Sequence, residues 1–193
     1  MYHRIDGSRY RQIFVVGDVH GCYQALQQQL QARDFDPQQD LVIAVGDVID
    51  RGPQSLSCLG LLDAPWFSMV MGNHEQMALM ALLSGVDFHW QRNGGDWFYR
   101  LKGEARQRAE TLIHRCDALP LVIEVTHLPQ HIVVAHADYP AERYEYDQPV
   151  NAEDVVWSRK RITGALEGRG NRIAGADLFI FGHTPLKRPL KFL

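Results

Sequence analysis

The stretch Ile13-Phe14-Val15-Val16-Gly17-Asp18-Val19-His20-Gly21-Cys22 decides how the chain is read. An apolar run of strand length stops at a glycine and releases an aspartate and a histidine one residue apart. Side chains at i and i+2 of an extended segment face the same side, so Asp18 and His20 can address one object, and the flanking glycines leave room for it. The punctuation recurs. A run at Leu41–Val45 is followed by Gly46-Asp47-Val48-Ile49-Asp50-Arg51-Gly52, and one at Phe67–Met71 by Gly72-Asn73-His74-Glu75. The run His131–Ala135 is followed by His136, and Leu178–Phe181 by Gly182-His183. In open α/β sheets ligands gather at the carboxyl ends of strands, so these five ends define one rim and one candidate site.

Between the first two strands, Cys22–Phe35 places Tyr23, Leu26 and Leu30 at helical spacing. A helix there makes a β-α-β crossover and hence parallel strands. Ser55–Asp63 repeats the pattern through Leu56, Leu59 and Leu62, and His74–Ser84 is apolar on more than one side and expected to pack deeply. Residues 84–118 break the alternation with a Gly-rich turn at Asn93–Gly95, several aromatics and a polar helix with Ala105, Ala109, Leu112 and Cys116 inward. They read as a helical insertion in a single domain spanning 1–193. Strands at Leu121–Thr126 and His131–Ala135, separated by HLPQ, are expected to pair antiparallel.

At 193 residues the chain suits one domain with a substantial core. Its net charge of −3 offers no electrostatic ground for nucleic acid or an anionic membrane as partner. Cys22, Cys58 and Cys116 show no CxxC spacing, which suggests neither a disulfide framework nor a thiolate metal knot. MYHRIDGSRYRQ lacks the apolar core of a signal peptide, and no apolar stretch approaches bilayer-spanning length, so a cytoplasmic location is expected.

Taken singly, each residue of the rim has an ordinary role open to it. An aspartate after glycine caps a helix or turn, a lone histidine fills core or surface, Arg51 alone is a solvated cation, and Asn73 alone a turn former. His3, His89, His114, His127 and His131 are left to such roles. The set narrows the chemistry. Carboxylates from Asp18 and Asp47, an amide oxygen from Asn73 and imidazoles from His20, His136 and His183 make a mixed nitrogen and oxygen donor set without thiolate. Such a set suits manganese, iron or zinc rather than calcium, and it is too large for one ion. Two divalent ions outweigh two carboxylates even with a bridging hydroxide, so the site favours an anion, and the planar donor fork of Arg51 suits a phosphate.

GDVHG at 17–21, GDVIDRG at 46–52 and GNHE at 72–75, followed by AHADYP at 135–140 and FGHTP at 181–185, resemble the signature blocks of the phosphoprotein phosphatase type of metallophosphoesterase. Within it the chain is similar to the small bacterial and phage group that includes protein phosphatases one and two and the phage lambda phosphatase. NHEQM, NGGDWF, ALPLVIE and VVWSR extend the likeness over nearly the whole chain. The resemblance implies a calcineurin-like α/β (α+β) domain, a central β-sandwich flanked by helices on both sides in four αββα layers. It implies two divalent ions, manganese first and iron or zinc as alternatives. One would be held by Asp18, His20 and Asp47, the other by Asp47, Asn73, His136 and His183. Arg51 and Arg159 match the phosphate-holding arginines, with Asn73 and His74 also at the phosphate, and His74 matches the general acid oriented by Asp50. Family members continue past the last motif histidine into further strands, whereas the sequence stops at PLKRPLKFL. Closing strands are therefore expected to be missing and an edge exposed near Leu190–Leu193.

The implied reaction is hydrolysis of phosphoserine and phosphothreonine in phosphorylated proteins, with phosphotyrosine as a further substrate. By the same resemblance it would proceed by direct in-line attack of a water bridging both ions, without a phosphoenzyme. Two other classes remain open. Symmetrical diadenosine tetraphosphate hydrolases share the metal blocks but carry Ala at the place of Asp50 and NHD where this chain has NHE, so Asp50 and Glu75 favour a phosphoprotein. A non-catalytic relative that kept the fold is the third class, and the intact ligand set weighs against it.

Overall fold

A computed structural model describes residues 1–127, 129–170 and 172–192. In chain order the elements are β1 (Tyr2–Asp6), β2 (Ile13–Val16), α1 (Tyr23–Gln31), β3 (Leu41–Ala44), α2 (Ser55–Leu59), β4 (Phe67–Met69), α3 (Asn73–Ser84) and α4 (Phe88–Trp90). They continue with α5 (Asp96–Arg100), α6 (Gly103–Arg115), β5 (Val122–His127), β6 (Gln130–Ala135), α7 (Ala152–Trp157), α8 (Lys160–Leu166) and β7 (Leu178–Ile180).

Strands β2, β3 and β4 form a parallel sheet with β3 in the middle. The crossover helices bury Leu26 and Leu30 of α1 and Cys58 and Leu59 of α2, while Leu56 and Leu62, read as inward on the second crossover, are only partly buried. The second sheet runs β1-β5-β6-β7, with β5 and β6 antiparallel as expected and the outer strands parallel to their neighbours.

Alternation along the strands locates the core. Val42 and Ala44 of β3 join side chains of α1 to α6 in one cluster, whereas Leu41 and Ile43 join Ile5, Ile123, Val125 and Val134 in another. That second set comes from both sheets, so the sheets pack face to face. Leu41–Ala44 is continuously apolar because both its faces are covered, with no residue above 2% exposure. Val122, Val133 and Ala135 point the other way, against Tyr139, Tyr144 and Val155 of α7. Helices thus flank the sandwich on both sides, giving the four layers expected. Among the described residues no helix is long and apolar enough to cross a membrane.

The structure departs from expectation in detail. No strand is read before Gln12, yet Tyr2–Asp6 pairs in register with Val122–Thr126. Only Ile5 of its five residues is buried, so no apolar run marks it. Ala105, expected inward, lies exposed in the first turn of α6, and Ile113 joins Ala109, Leu112 and Cys116 in the core. Helix α3 buries Met77, Ala78, Leu79 and Ala81 but leaves Met80 54% and Leu83 61% exposed. Strand β7 ends its sheet among the described residues. Near the expected exposed edge, Leu190 and Phe192 are exposed and outside any strand, and residue 193 lies outside the described residues, as does residue 128 of the HLPQ turn.

Candidate metal centre and active site

Strands β2, β3 and β4 run in one direction, and β6 and β7 run together in the facing sheet. Their carboxyl ends meet at one rim, where hydrogen bonds join residues of all five. The ends of β3 and β4 approach backbone to backbone. Gly46 has φ 94°, and a methyl group on it would lie 2.7 Å from Gly72 Cα, while a side chain on Gly72 would strike the Asp47 amide. Glycine at both positions lets Asp47 and Asn73 leave their strands side by side. Backbone strain collects here. Of seven described non-glycine residues with positive φ, five are His20, Asp47, Asp50, Arg51 and His183. Conformers of this kind cost of order 1–3 kcal/mol each and persist where the surroundings over-determine them.

Asp47 is central and 2% exposed. Its Oδ1 accepts the His74 amide at 3.0 Å and lies 3.4 Å from His136 Nε2. Its Oδ2 lies 3.8 Å from His20 Nε2 and 3.9 Å from His74 Nε2. Asn73 Oδ1 sits 3.0 Å from His136 Nε2 and 2.9 Å from His183 Nδ1. Two groups of side chains able to hold a metal result, His20-Asp47-His74 and Asp47-His136-His183, with Asp47 common to both. Asp18 belongs to neither, and its carboxylate instead accepts the His183 amide at 3.0 and 3.1 Å, joining the end of β2 to the end of β7. His20 and His136 turn Nδ1 to the carbonyls of Ile49 (2.8 Å) and Val45 (2.6 Å), which leaves each Nε2 facing the cluster.

Electrostatics follow from this crowding. Burial pushes the Asp47 carboxyl up, but the hydrogen bond and charge of His136, with His74, outweigh it and hold Asp47 well below the usual carboxylate range. Burial likewise opposes a charge on His136, and its hydrogen bond to Asp47 and the charges of Asp47 and Asp18 raise it nonetheless. His183 is driven down to about 4 by burial, then by His136 and Arg159. His20 is lowered chiefly by burial. At neutral pH His20 and His183 are therefore uncharged imidazoles with a lone pair to offer.

Glu75, fully buried at the third position of α3, ties the floor together. Its Oε2 accepts from the amides of Asp47 (2.8 Å) and Gly72 (3.2 Å), and its Oε1 from Val48 (2.9 Å) and Ile49 (3.4 Å). Burial and the Asp47 charge push its carboxyl up to about 7. Beside it, His74 Nδ1 lies 2.6 Å from Asp50 Oδ2, both residues at 1% exposure or less.

The ten residues expected at the site occupy one region. Eight form its floor, while Arg51 and Arg159 stand exposed at the opening. Arg51 Nη1 lies 2.8 Å from His20 Nε2, and Arg159, ahead of the first turn of α8, acts electrostatically on His183. A separate cleft of about 380 Å³ beside α8 is lined by Asp138, Glu142 and Asp154 as well as Lys160, Arg161 and Arg169, and by none of the ten. Sequence reasoning leaves Trp90, Trp97 and Trp157 without a role. Trp90 and Trp97 donate their indole N–H groups to Asp50, and Trp157 donates to Gln76 while its ring lies 6.3 Å from that of His183. The usable signal is the need of a buried indole N–H for an acceptor.

The model of the calcineurin-like phosphoesterase family matches residues 11–189. Serine/threonine-protein phosphatase 1 of Salmonella typhimurium is 49% identical over 192 residues, covering 100% of this chain and 87% of that protein. Serine/threonine-protein phosphatase 2 of Escherichia coli is 45% identical over 182 residues, covering 94% and 84% respectively. A solved structure provisionally described as a diadenosine tetraphosphatase superposes with TM-score 0.60 at 23% identity, over 80% of this chain and 61% of that one, a likeness of fold. This chain belongs to the calcineurin-like phosphoesterase family.

Proposed function

We propose that the chain is a metal-dependent protein phosphatase hydrolysing phosphoserine and phosphothreonine in phosphorylated proteins, with phosphotyrosine as a further substrate. The observation that carries this reading is Asp47, shared by two ligand groups beside the buried His74–Asp50 pair. The two bacterial relatives named serine/threonine-protein phosphatases support the same class. We read residues 1–193 as one catalytic domain with a helical insertion near 84–118, in keeping with the buried cluster that Trp90, Phe98 and Leu112 share with α1 to α3. Three free cysteines agree with a cytoplasmic location.

Asp18, His20 and Asp47 would hold one divalent ion, and Asp47, Asn73, His136 and His183 the other. The donors fit, because the Nε2 atoms of His20 and His136, turned to the cluster by their Nδ1 contacts, and the carboxylates are of the kind manganese, iron or zinc prefer, and we assign manganese. Such ions, when bound, activate water and offset phosphoryl charge. The rest falls to the chain. Arg51 and Arg159 present guanidinium forks at the opening, where they bind the phosphate oxygens and stabilise the charge developing on them. The 2.8 Å contact with His20 shows that the Arg51 fork reaches the floor. His74 keeps Nδ1–H on Asp50, so its Nε2 faces the cluster and delivers a proton to the leaving oxygen.

Two assays test the reading, phosphate release from a phosphoserine peptide and ADP release from diadenosine tetraphosphate, each with a chelator-treated control. Release from the peptide with added manganese, and none after chelation, is expected. Preference for the dinucleotide overturns the substrate assignment, and turnover that survives chelation overturns the metal assignment.

A further inference from the structure

The NGGDWF turn has an unusual neighbour. Asp50 is completely buried, and a buried carboxylate needs donors on both oxygens. Its Oδ2 receives His74 Nδ1 at 2.6 Å and Trp90 Nε1 at 2.9 Å, and its Oδ1 receives Trp97 Nε1 at 2.7 Å. The two indoles sit edge to face with centroids 6.3 Å apart, on either side of the turn at Gln91–Gly95. That turn is shaped to let them converge. A methyl group on Gly95 would lie 2.5 Å from the Trp90 ring, and Gly94, at φ 108°, brings the chain so near Arg51 that a methyl group there would lie 2.8 Å from the Arg51 amide. The same turn therefore packs against Trp90 and against the residue that follows Asp50.

We propose that Trp90 and Trp97 are positioning residues for proton delivery, two indole donors that fix the plane of the Asp50 carboxylate and so hold His74 with Nδ1–H inward and Nε2 toward the substrate. An indole N–H donates and accepts nothing, so it can pin the carboxylate without competing for the histidine proton. Both rings are at most 9% exposed, which keeps water from replacing them. This role rests on the reading of His74 as general acid.

The test compares Trp90→Phe and Trp97→Phe on a phosphoserine peptide and on p-nitrophenyl phosphate, whose leaving group departs as an anion. General acid help is worth about 10²–10⁴-fold, and losing part of its alignment should lower kcat on the peptide about tenfold with KM little changed and the nitrophenyl ester much less affected. In an Asp50→Asn background the Phe substitutions should add little, as expected for residues acting through one group. Equal losses on both substrates, or full additivity with Asp50→Asn, overturn the proposal. His74→Asn is measured alongside: if it does not separate the two substrates, the acid reading itself falls, and if it does while the tryptophan variants do not, only their role falls. Should the tryptophan variants fail to fold, the wild-type protein and its Asp50→Asn variant still decide. The Trp90 and Trp97 indole N–H signals should resist exchange with water in the wild type and shift on Asp50→Asn, and freely exchanging or unshifted indole protons overturn the assignment.

Discussion

Two of the buried carboxylates, Asp47 at the strand ends and Glu124 in the middle of β5, are treated in opposite ways. Glu124, 1% exposed, is enclosed by donors from three parts of the chain. Arg4 Nε lies 2.5 Å away and the Tyr144 hydroxyl 2.7 Å, and His131 Nε2 approaches to 3.2 Å. Burial pushes Glu124 up, but these partners outweigh it and hold the carboxyl below its usual range. Asp47 also has donors, yet it shares its space with ring nitrogens of His20, His74 and His136, with Asn73 Oδ1 in contact with His136, on a backbone bent to φ 51°. A carboxylate ringed by cations and hydroxyls is holding the fold. One set among several imidazoles able to hold a metal, with backbone strain at its own position, is arranged for something that arrives from outside.

The largest effect expected is at Asp47. Outer-sphere changes at metal sites cost about 10–100-fold, so Asp47→Asn, which touches both proposed sites, should lower activity by more than about 100-fold. Metal content by elemental analysis should fall at both sites, and His183→Ala should be milder on both measures. Wild-type metal content in Asp47→Asn would erase the contrast with Glu124.

Next comes His74. His74→Asn should lose on the order of 10²-fold on a phosphoserine peptide and far less on p-nitrophenyl phosphate. Arg51→Ala should depress both alike, because the phosphate is the same in each. If His74→Asn affects both substrates by one factor, His74 belongs with the phosphate or metal contacts rather than with proton transfer.

Glu124 should answer in stability instead. Arg4→Met leaves the buried carboxylate short of its main partner and should cost about 1–3 kcal/mol in urea unfolding, with turnover per folded molecule retained. Lost turnover at unchanged stability would put Glu124 on the functional side of the comparison.

The smallest effect is the pH dependence of that contribution. Glu124 is depressed in the folded state, so its stabilisation is fully present above the unfolded value of about 4.3 and is lost as pH falls through the folded value. The stability gap between wild type and Glu124→Gln should therefore narrow between about pH 7 and about pH 3. A gap that stays constant over this range would show that the Arg4 ion pair contributes nothing.

The parallel crossovers of the central strands and the chemistry at their ends are legible in the sequence because both are local. An apolar run, a glycine and an acid or imidazole lie within a few residues, and parallel crossovers bring such ends to one rim. The pairing of Asp50 with His74 came through resemblance, and the structure adds its 2.6 Å geometry. What only the tertiary structure decided are the contacts without local spacing. Strand β1 exists because it pairs with β5, with Arg4 and Glu124 separated by 120 positions. Trp90 and Trp97 reach Asp50 across 40 and 47 positions. No periodicity records such partnerships, since a buried donor and its acceptor find each other only through the docking of separate elements, and that docking is set by the packing of the whole core.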